Sequence, residues 1–158
     1  MESEPLIRAV PAKADFPPEV LAQRIKAWGK ELGFQEVGIA DTDLSEAEAR
    51  LLDWLAQGLH GDMDYVARHG ARRSRPGELE PGTVRVISAR MNYSPKNAAD
   101  SWQVMQDPRR GFISRYALGR DYHKVLRGRL QQLAQRIARE AGSFRYRVFT
   151  DSAPVMEV

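Results

Sequence analysis

The sequence predicts a mixed α/β (α+β) fold, and three observations lead there. Segments with apolar residues at helical spacing alternate with short runs rich in Val, Ile and Phe. Gly33, Gly58 and Gly142 fall where the helical patterns stop, as a chain leaving a helix requires. With 158 residues, 42% hydrophobic and 28% charged, the chain has the length and composition of a globular domain with its own core.

The elements follow in order. Residues 1–15 hold Pro5 and Pro11 and little periodicity, which reads as a flexible tail ahead of one domain at 16–158. A first helix is expected from about Pro18 to Leu32, with Leu21, Ile25, Trp28 and Leu32 on one face. Phe34 to Ala40 reads as a short buried strand with Val37 and Ile39 facing the same way. A second helix starts at Ser45, where Ser45 and Glu48 have capping-box spacing, and ends near Gly58. A shorter helix covers Met63 to Arg68. The run Arg72-Arg73-Ser74-Arg75-Pro76-Gly77 is read as a basic loop. A strand at Thr83 to Met91 comes next, then a long connection with helix around Trp102, and strand or extended chain at Gly111 to Tyr116. The longest helix runs from Asp121 to Ala141 on a stripe of Leu126, Leu130, Leu133 and Ile137. Phe144 to Thr150 is read as the last strand, ending on Asp151, with a helix expected after Pro154.

Charge is unevenly spread around a net +3. Eleven Lys or Arg face three acids between Gln106 and Arg147, while seven acids and one Arg lie between Glu31 and Asp53. The basic stretch fits a solvated helix face or a phosphate-rich partner such as RNA. There is no cysteine, hence no disulfide, no thiol nucleophile and no thiolate ligand for an iron–sulfur cluster. No apolar run nears the roughly 20 residues that cross a bilayer. The acidic start, Met1-Glu2-Ser3-Glu4-Pro5, lacks signal-peptide order, so no membrane partner and a cytoplasmic location are expected. His60, His69 and His123 lack metal-ligand spacing, and no metal-ligating residue is assigned. The sequence ends at Val158, just after the Asp151 motif, which reads as a chain truncated from something longer.

Four segments together carry a resemblance. They are Leu32-Gly33-Phe34-Gln35-Glu36-Val37-Gly38-Ile39, His60-Gly61-Asp62-Met63-Asp64-Tyr65, Ser114-Arg115-Tyr116-Ala117-Leu118-Gly119-Arg120-Asp121-Tyr122-His123 and Asp151-Ser152-Ala153-Pro154. In this order the chain resembles, from about Leu21 to Glu157, the amino-terminal domain of the tRNA epoxyqueuosine reductases. The resemblance implies a nitroreductase-like sandwich of helices around a mixed sheet. It also implies cobalamin as cofactor and reduction of epoxyqueuosine to queuosine at the tRNA wobble position. The family's two [4Fe–4S] clusters and its helical-repeat domain have no counterpart in these 158 residues, so the chain by itself is expected to be inactive. The electron donor is not implied.

The resemblance makes Asp151 the proton donor and makes Arg73, Ser114 and Asp151 cobalamin contacts. Residue chemistry alone reads Asp151 as a helix N-cap, Arg73 as a loop arginine and Ser114 as a turn serine. His123 is expected to be a surface or packed histidine rather than a cobalt ligand. The basic 106–147 region, with Arg109, Arg110 and Arg120, would face the anticodon stem-loop. Two other readings stay open: a corrinoid- or RNA-binding module without catalysis, and a nitroreductase-like flavin enzyme.

Overall fold

A computed structural model describes residues 17–94, 97–151 and 153–156. The expected tail at 1–15 lies outside these residues, as does Ser152. In chain order the described elements are α1 (Pro18–Glu31), β1 (Glu36–Ala40), α2 (Ser45–Ala56), α3 (Asp64–Arg68), a 3-10 turn (Gly70–Ser74), α4 (Pro76–Leu79), β2 (Val86–Arg90), α5 (Ser101–Gln106), a second 3-10 turn (Arg115–Ala117) and α6 (Tyr122–Ala141). β1 and β2 form a two-stranded antiparallel sheet. Helices with one small sheet make the fold α+β. The chain divides into two compact units.

The first unit comprises the described residues up to Val37 together with Ala89–Phe144. Pro18 occupies the first turn of α1, where its missing N–H is no loss. Gly33 ends the helix at φ 83°, a conformation that a side chain would strain. Ile25 and Trp28 on α1, Leu133, Ala134 and Ile137 on α6, and Phe34 and Val37 form the core. Of the expected apolar stripes, Ile25, Trp28, Leu133 and Ile137 are buried, while Leu21, Leu32, Leu126 and Leu130 are half-buried. Gly29 is buried in α1, and a Cβ there would stand 2.3 Å from Val37 Cγ2, so glycine lets helix and strand close. Across α1 and α6, Arg24 pairs with Glu140 at 2.9 Å. Arg136 pairs with Glu31 while its guanidinium lies 5.0 Å from the Trp28 ring, a cation–π contact. α6 starts at Asp121, whose carboxylate accepts the His123 N–H at 3.0 Å.

The second unit comprises Gly38–Ser88 and the described residues from Arg145 on. Its apolar burial is thinner: Ala47 and Pro76 are buried, while Leu51, Trp54 and Leu55 are only half-buried. Polar contacts share the task. Arg145 pairs with Glu80, and Arg147 lies 4.8 Å from the Phe149 ring.

Several sequence expectations are corrected. Phe144–Thr150 belongs to no sheet ladder among the described residues; Arg145 ties it to Glu80, and Arg147 lies over Phe149 within it. Of the two readings of Gly111–Tyr116, the loop holds: no strand is described there, and the segment runs into the Arg115–Ala117 turn. The 72–77 loop is instead the end of a 3-10 turn and the start of α4, with Pro76 at its first position. The capping box is not made: Ser45 opens α2 without a side-chain cap, its N–H goes to Asp43 Oδ1 at 3.2 Å, and Glu48 turns elsewhere. The described residues after Pro154 are not helical.

Candidate functional site

The site can be built from Arg73 outward. In the 3-10 turn Gly70–Ser74, Ser74 is the buried polar side chain among the described residues, at 3% exposure. Its hydroxyl has one proton and two acceptors in reach: the Ala71 carbonyl at 2.8 Å and the Glu48 carboxylate. The charged acceptor makes the stronger bond. Arg75 grips the same carboxylate with two N–H groups, Nη2 to Oε1 at 2.7 Å and Nε to Oε2 at 3.0 Å. Its Nη1 also reaches Glu78 at 3.2 Å. The Arg75 bonds, then the Ser74 hydroxyl, pull the Glu48 pKa from 4.5 down to about 2. This clamp fixes the turn to α2.

Arg73 sits inside the clamped turn. Its Nε and Nη2 donate to the Val66 and Tyr65 carbonyls, each at 3.3 Å, so the guanidinium holds the middle of α3. The Arg73 carbonyl accepts the Met156 N–H at 2.9 Å. The backbone of Arg73 is thereby joined to the segment that follows Asp151.

Asp151 is exposed and has φ 57°, the one positive φ outside glycine among the described residues. Asp and Asn tolerate this left-handed region better than other side chains. Just before it, the Thr150 Oγ1 is buried without a hydrogen-bond partner among the described residues, as is His60 Nδ1. A buried hydroxyl left unpaired is costly.

Arg73 and Asp151 thus fall in one unit, whereas Ser114 belongs to the other. Ser114 is exposed and precedes the Arg115–Ala117 turn, its carbonyl accepting the Ala117 N–H at 2.9 Å. Beside it lies a recess of about 200 Å³ whose walls include Val104, Phe112, Ile113, Arg115 and Leu118. Of the basic candidates in that unit, Arg109 and Arg110 both pair with Asp107 at 3.3 Å, and Arg120 is exposed. His123 bonds Asp121 at 3.1 Å and stacks on Tyr122 at 4.0 Å, a packed surface role as expected. Among the described residues no cluster of three or more His, Asp and Glu could hold a metal. None of their helices is long and apolar enough to cross a membrane.

Sequence reasoning missed Glu48, Ser74, Thr150 and Met156. The spacing of Ser45 and Glu48 pointed to a local cap and hid the long-range partner. A serine amid arginines gave no sign of burial.

The clamp carries a pH prediction. Because the folded pKa of Glu48 is depressed, its stabilisation is complete above about 4.5 and is lost as pH falls toward about 2. The urea midpoint of the second unit should drop across that window, followed by Trp54 fluorescence in a variant lacking the other two tryptophans. Glu48→Gln should lower the midpoint at pH 7 and flatten its dependence between pH 4.5 and 2.

Comparison with known proteins gives the class first: residues 73–152 match the profile of a family of reductases. That family is described as "Epoxyqueuosine reductase QueG, DUF1730", and the chain belongs to it. The matched span runs from Arg73 to the residue after Asp151. A curated protein named "Epoxyqueuosine reductase" from Pseudomonas aeruginosa is 60% identical over 140 residues, covering 89% of this chain and 38% of the relative. Proteins of the same name from Burkholderia pseudomallei (54% over 167 residues, 96% and 41%) and Escherichia coli (58% over 137 residues, 87% and 36%) match similarly. The chain therefore spans about two fifths of the length of these relatives. No solved structure matches it significantly.

Proposed function

We propose that residues 16–158 form the cobalamin-binding, substrate-facing domain of a tRNA epoxyqueuosine reductase of the cytoplasm. On this reading the domain takes part in reducing epoxyqueuosine to queuosine at the wobble position. The observation that carries this is the backbone bond between Arg73 and Met156, which ties one proposed cofactor contact to the segment bearing the proposed acid, inside the span matched by the family. A nitroreductase-like sandwich is the architecture that the family resemblance implies for it.

The residues fit a corrin. Its rim of amide side chains offers carbonyl oxygens to a guanidinium such as Arg73. Bound cobalamin would supply the electrons that break the carbon–oxygen bonds. Deoxygenating an epoxide to an alkene takes two electrons and two protons and releases water. Asp151 delivers a proton to the epoxide oxygen, so that the departing oxygen does not leave as an alkoxide. Ser114 would give a small polar surface to the macrocycle, and the basic 106–147 region would meet phosphates of the anticodon stem-loop. The chain has no cysteine, so thiolate-ligated clusters in the electron path are not held by it.

The test is anaerobic titration of cob(II)alamin into the purified chain, read by absorption and electron paramagnetic resonance. A bound, base-off spectrum is expected, weakened at least tenfold in affinity by Arg73→Ala. A free-cobalamin spectrum from a folded sample overturns the reading, and binding of flavin mononucleotide in its place would favour a nitroreductase-like enzyme.

A further inference from the structure

We propose that the segment 98–118 is a stacking surface for unstacked RNA bases, with Trp102 and Phe112 as platforms and the neighbouring arginines on the phosphates. The inference deepens the reading of this domain as tRNA-facing and rests on it for the choice of RNA over DNA. The surface itself is read from exposure and charge within the first unit.

Between residues 102 and 118 six large apolar side chains stand in solvent, each 48–71% exposed: Trp102, Met105, Phe112, Ile113, Tyr116 and Leu118. A concentration of this kind marks an interaction site. α5 sets part of it in place. The Asp100 carboxylate caps the helix by accepting the Gln103 N–H at 3.0 Å. Ser101 and Val104 then line the recess with Phe112, Ile113, Arg115 and Leu118. Trp102 and Met105, three residues apart, share the adjoining face of the helix and stay open. Tyr116 is braced edge-on by Tyr122, at 5.9 Å and 86°. The recess, about 200 Å³, falls short of the roughly 300–1,000 Å³ that engulf a whole small ligand. It suits one ring of a longer molecule.

Charge selects the partner. Residues 91–120 hold five Lys or Arg against two acids, and both acids are engaged within the unit. Asp100 caps α5, and Asp107 is shared by Arg109 and Arg110 at 3.3 Å each. Arg115, in the wall of the recess, and Arg120 make no ion pair among the described residues. A protein interface is depleted of charge at its centre. Aromatic faces set among cations suit a single strand instead, with a π surface for each base and a positive track for the backbone. A duplex keeps its base faces inside its own stack.

The experiment is fluorescence anisotropy of a labelled RNA hairpin with a single-stranded loop, titrated with the chain beside an RNA duplex of the same composition. The hairpin should bind at least fivefold more tightly, and Trp102→Ala should remove at least that factor for the hairpin only. Trp102→Phe should keep most of the affinity. Because Trp102 is exposed, its loss should leave the thermal midpoint unchanged. Arg120→Gln should flatten the slope of log affinity against log salt by about 0.7, whereas Trp102→Ala should not alter it. A fluorescent adenine analogue in the loop should be quenched on binding, and less so by Trp102→Ala. No hairpin binding, equal affinity for hairpin and duplex, or full hairpin affinity in Trp102→Ala overturns the proposal. So does displacement of the hairpin by cob(II)alamin, which would give the face to the cofactor. So does a dimer that Trp102→Ala dissociates with RNA affinity unchanged, which would give it to a protein. Cobalamin titration is a separate readout. A chain that binds cobalamin but takes RNA without Trp102 keeps the proposed function and loses this interface; one that stacks RNA on Trp102 and binds no cobalamin does the reverse.

Discussion

Asp151→Asn is expected to abolish most epoxide reduction while leaving the fold and cofactor affinity nearly intact. The experiment needs a complete enzyme, which the relative from Escherichia coli provides when its matching segment is exchanged for that of this chain. Transfer RNA from cells carrying the chimera would be digested and its queuosine and epoxyqueuosine measured. General acid catalysis is worth about 10²–10⁴ in rate, so the variant should accumulate epoxyqueuosine where the unsubstituted chimera does not. The positive φ sharpens the choice of substitution. Asparagine adopts φ 57° as readily as aspartate, so the variant loses the proton and not the backbone. Alanine would confound the two losses. Wild-type queuosine levels in Asp151→Asn would remove the residue from the mechanism.

Gly29→Ala should destabilise the first unit, against the intrinsic preference of a helix. Alanine is favoured over glycine in a helix interior by about 1 kcal/mol. Here the added methyl would meet Val37 Cγ2 at 2.3 Å. Val37 is buried and its branched side chain has little rotameric freedom, so strand and helix must move apart. Overpacking of this kind costs about 1–3 kcal/mol, enough to outweigh the propensity gain. We expect the midpoint of thermal unfolding to fall by on the order of 5–10 °C. Combining Gly29→Ala with Val37→Ala should recover part of the loss, because the new methyl fills space the valine vacates. A double variant no better than the sum of its parts would refute the close contact.

The parts of this fold that could be read from sequence are those made by periodicity. The stripes Ile25–Trp28 and Leu133–Ile137 announce buried faces because helical repeats leave a pattern in neighbouring residues. Asp121 announces a helix start for the same local reason. What escaped was made by distance. Glu48 meets Ser74 and Arg75 26 and 27 residues away, and nothing near Glu48 favours that partner over Ser45. The segment 144–150 carries strand-like alternation, yet a strand needs a neighbour, and its arginines found side-chain partners instead. At the site, Arg73 and Asp151 came from motif resemblance; their connection through Met156 is a backbone bond, which leaves no mark on side-chain identity.

The guanidinium of Arg136 has a consequence of another kind. It serves an indole face and a carboxylate at once, lying over Trp28 and pairing with Glu31. Lysine would keep the charge and lose the plane; an aliphatic residue at 28 would keep the core and strand the cation; alanine at 31 would leave the cation with half its partners. The three side chains therefore act as one packing unit, joining two helices through residues that lie more than a hundred positions apart in the chain.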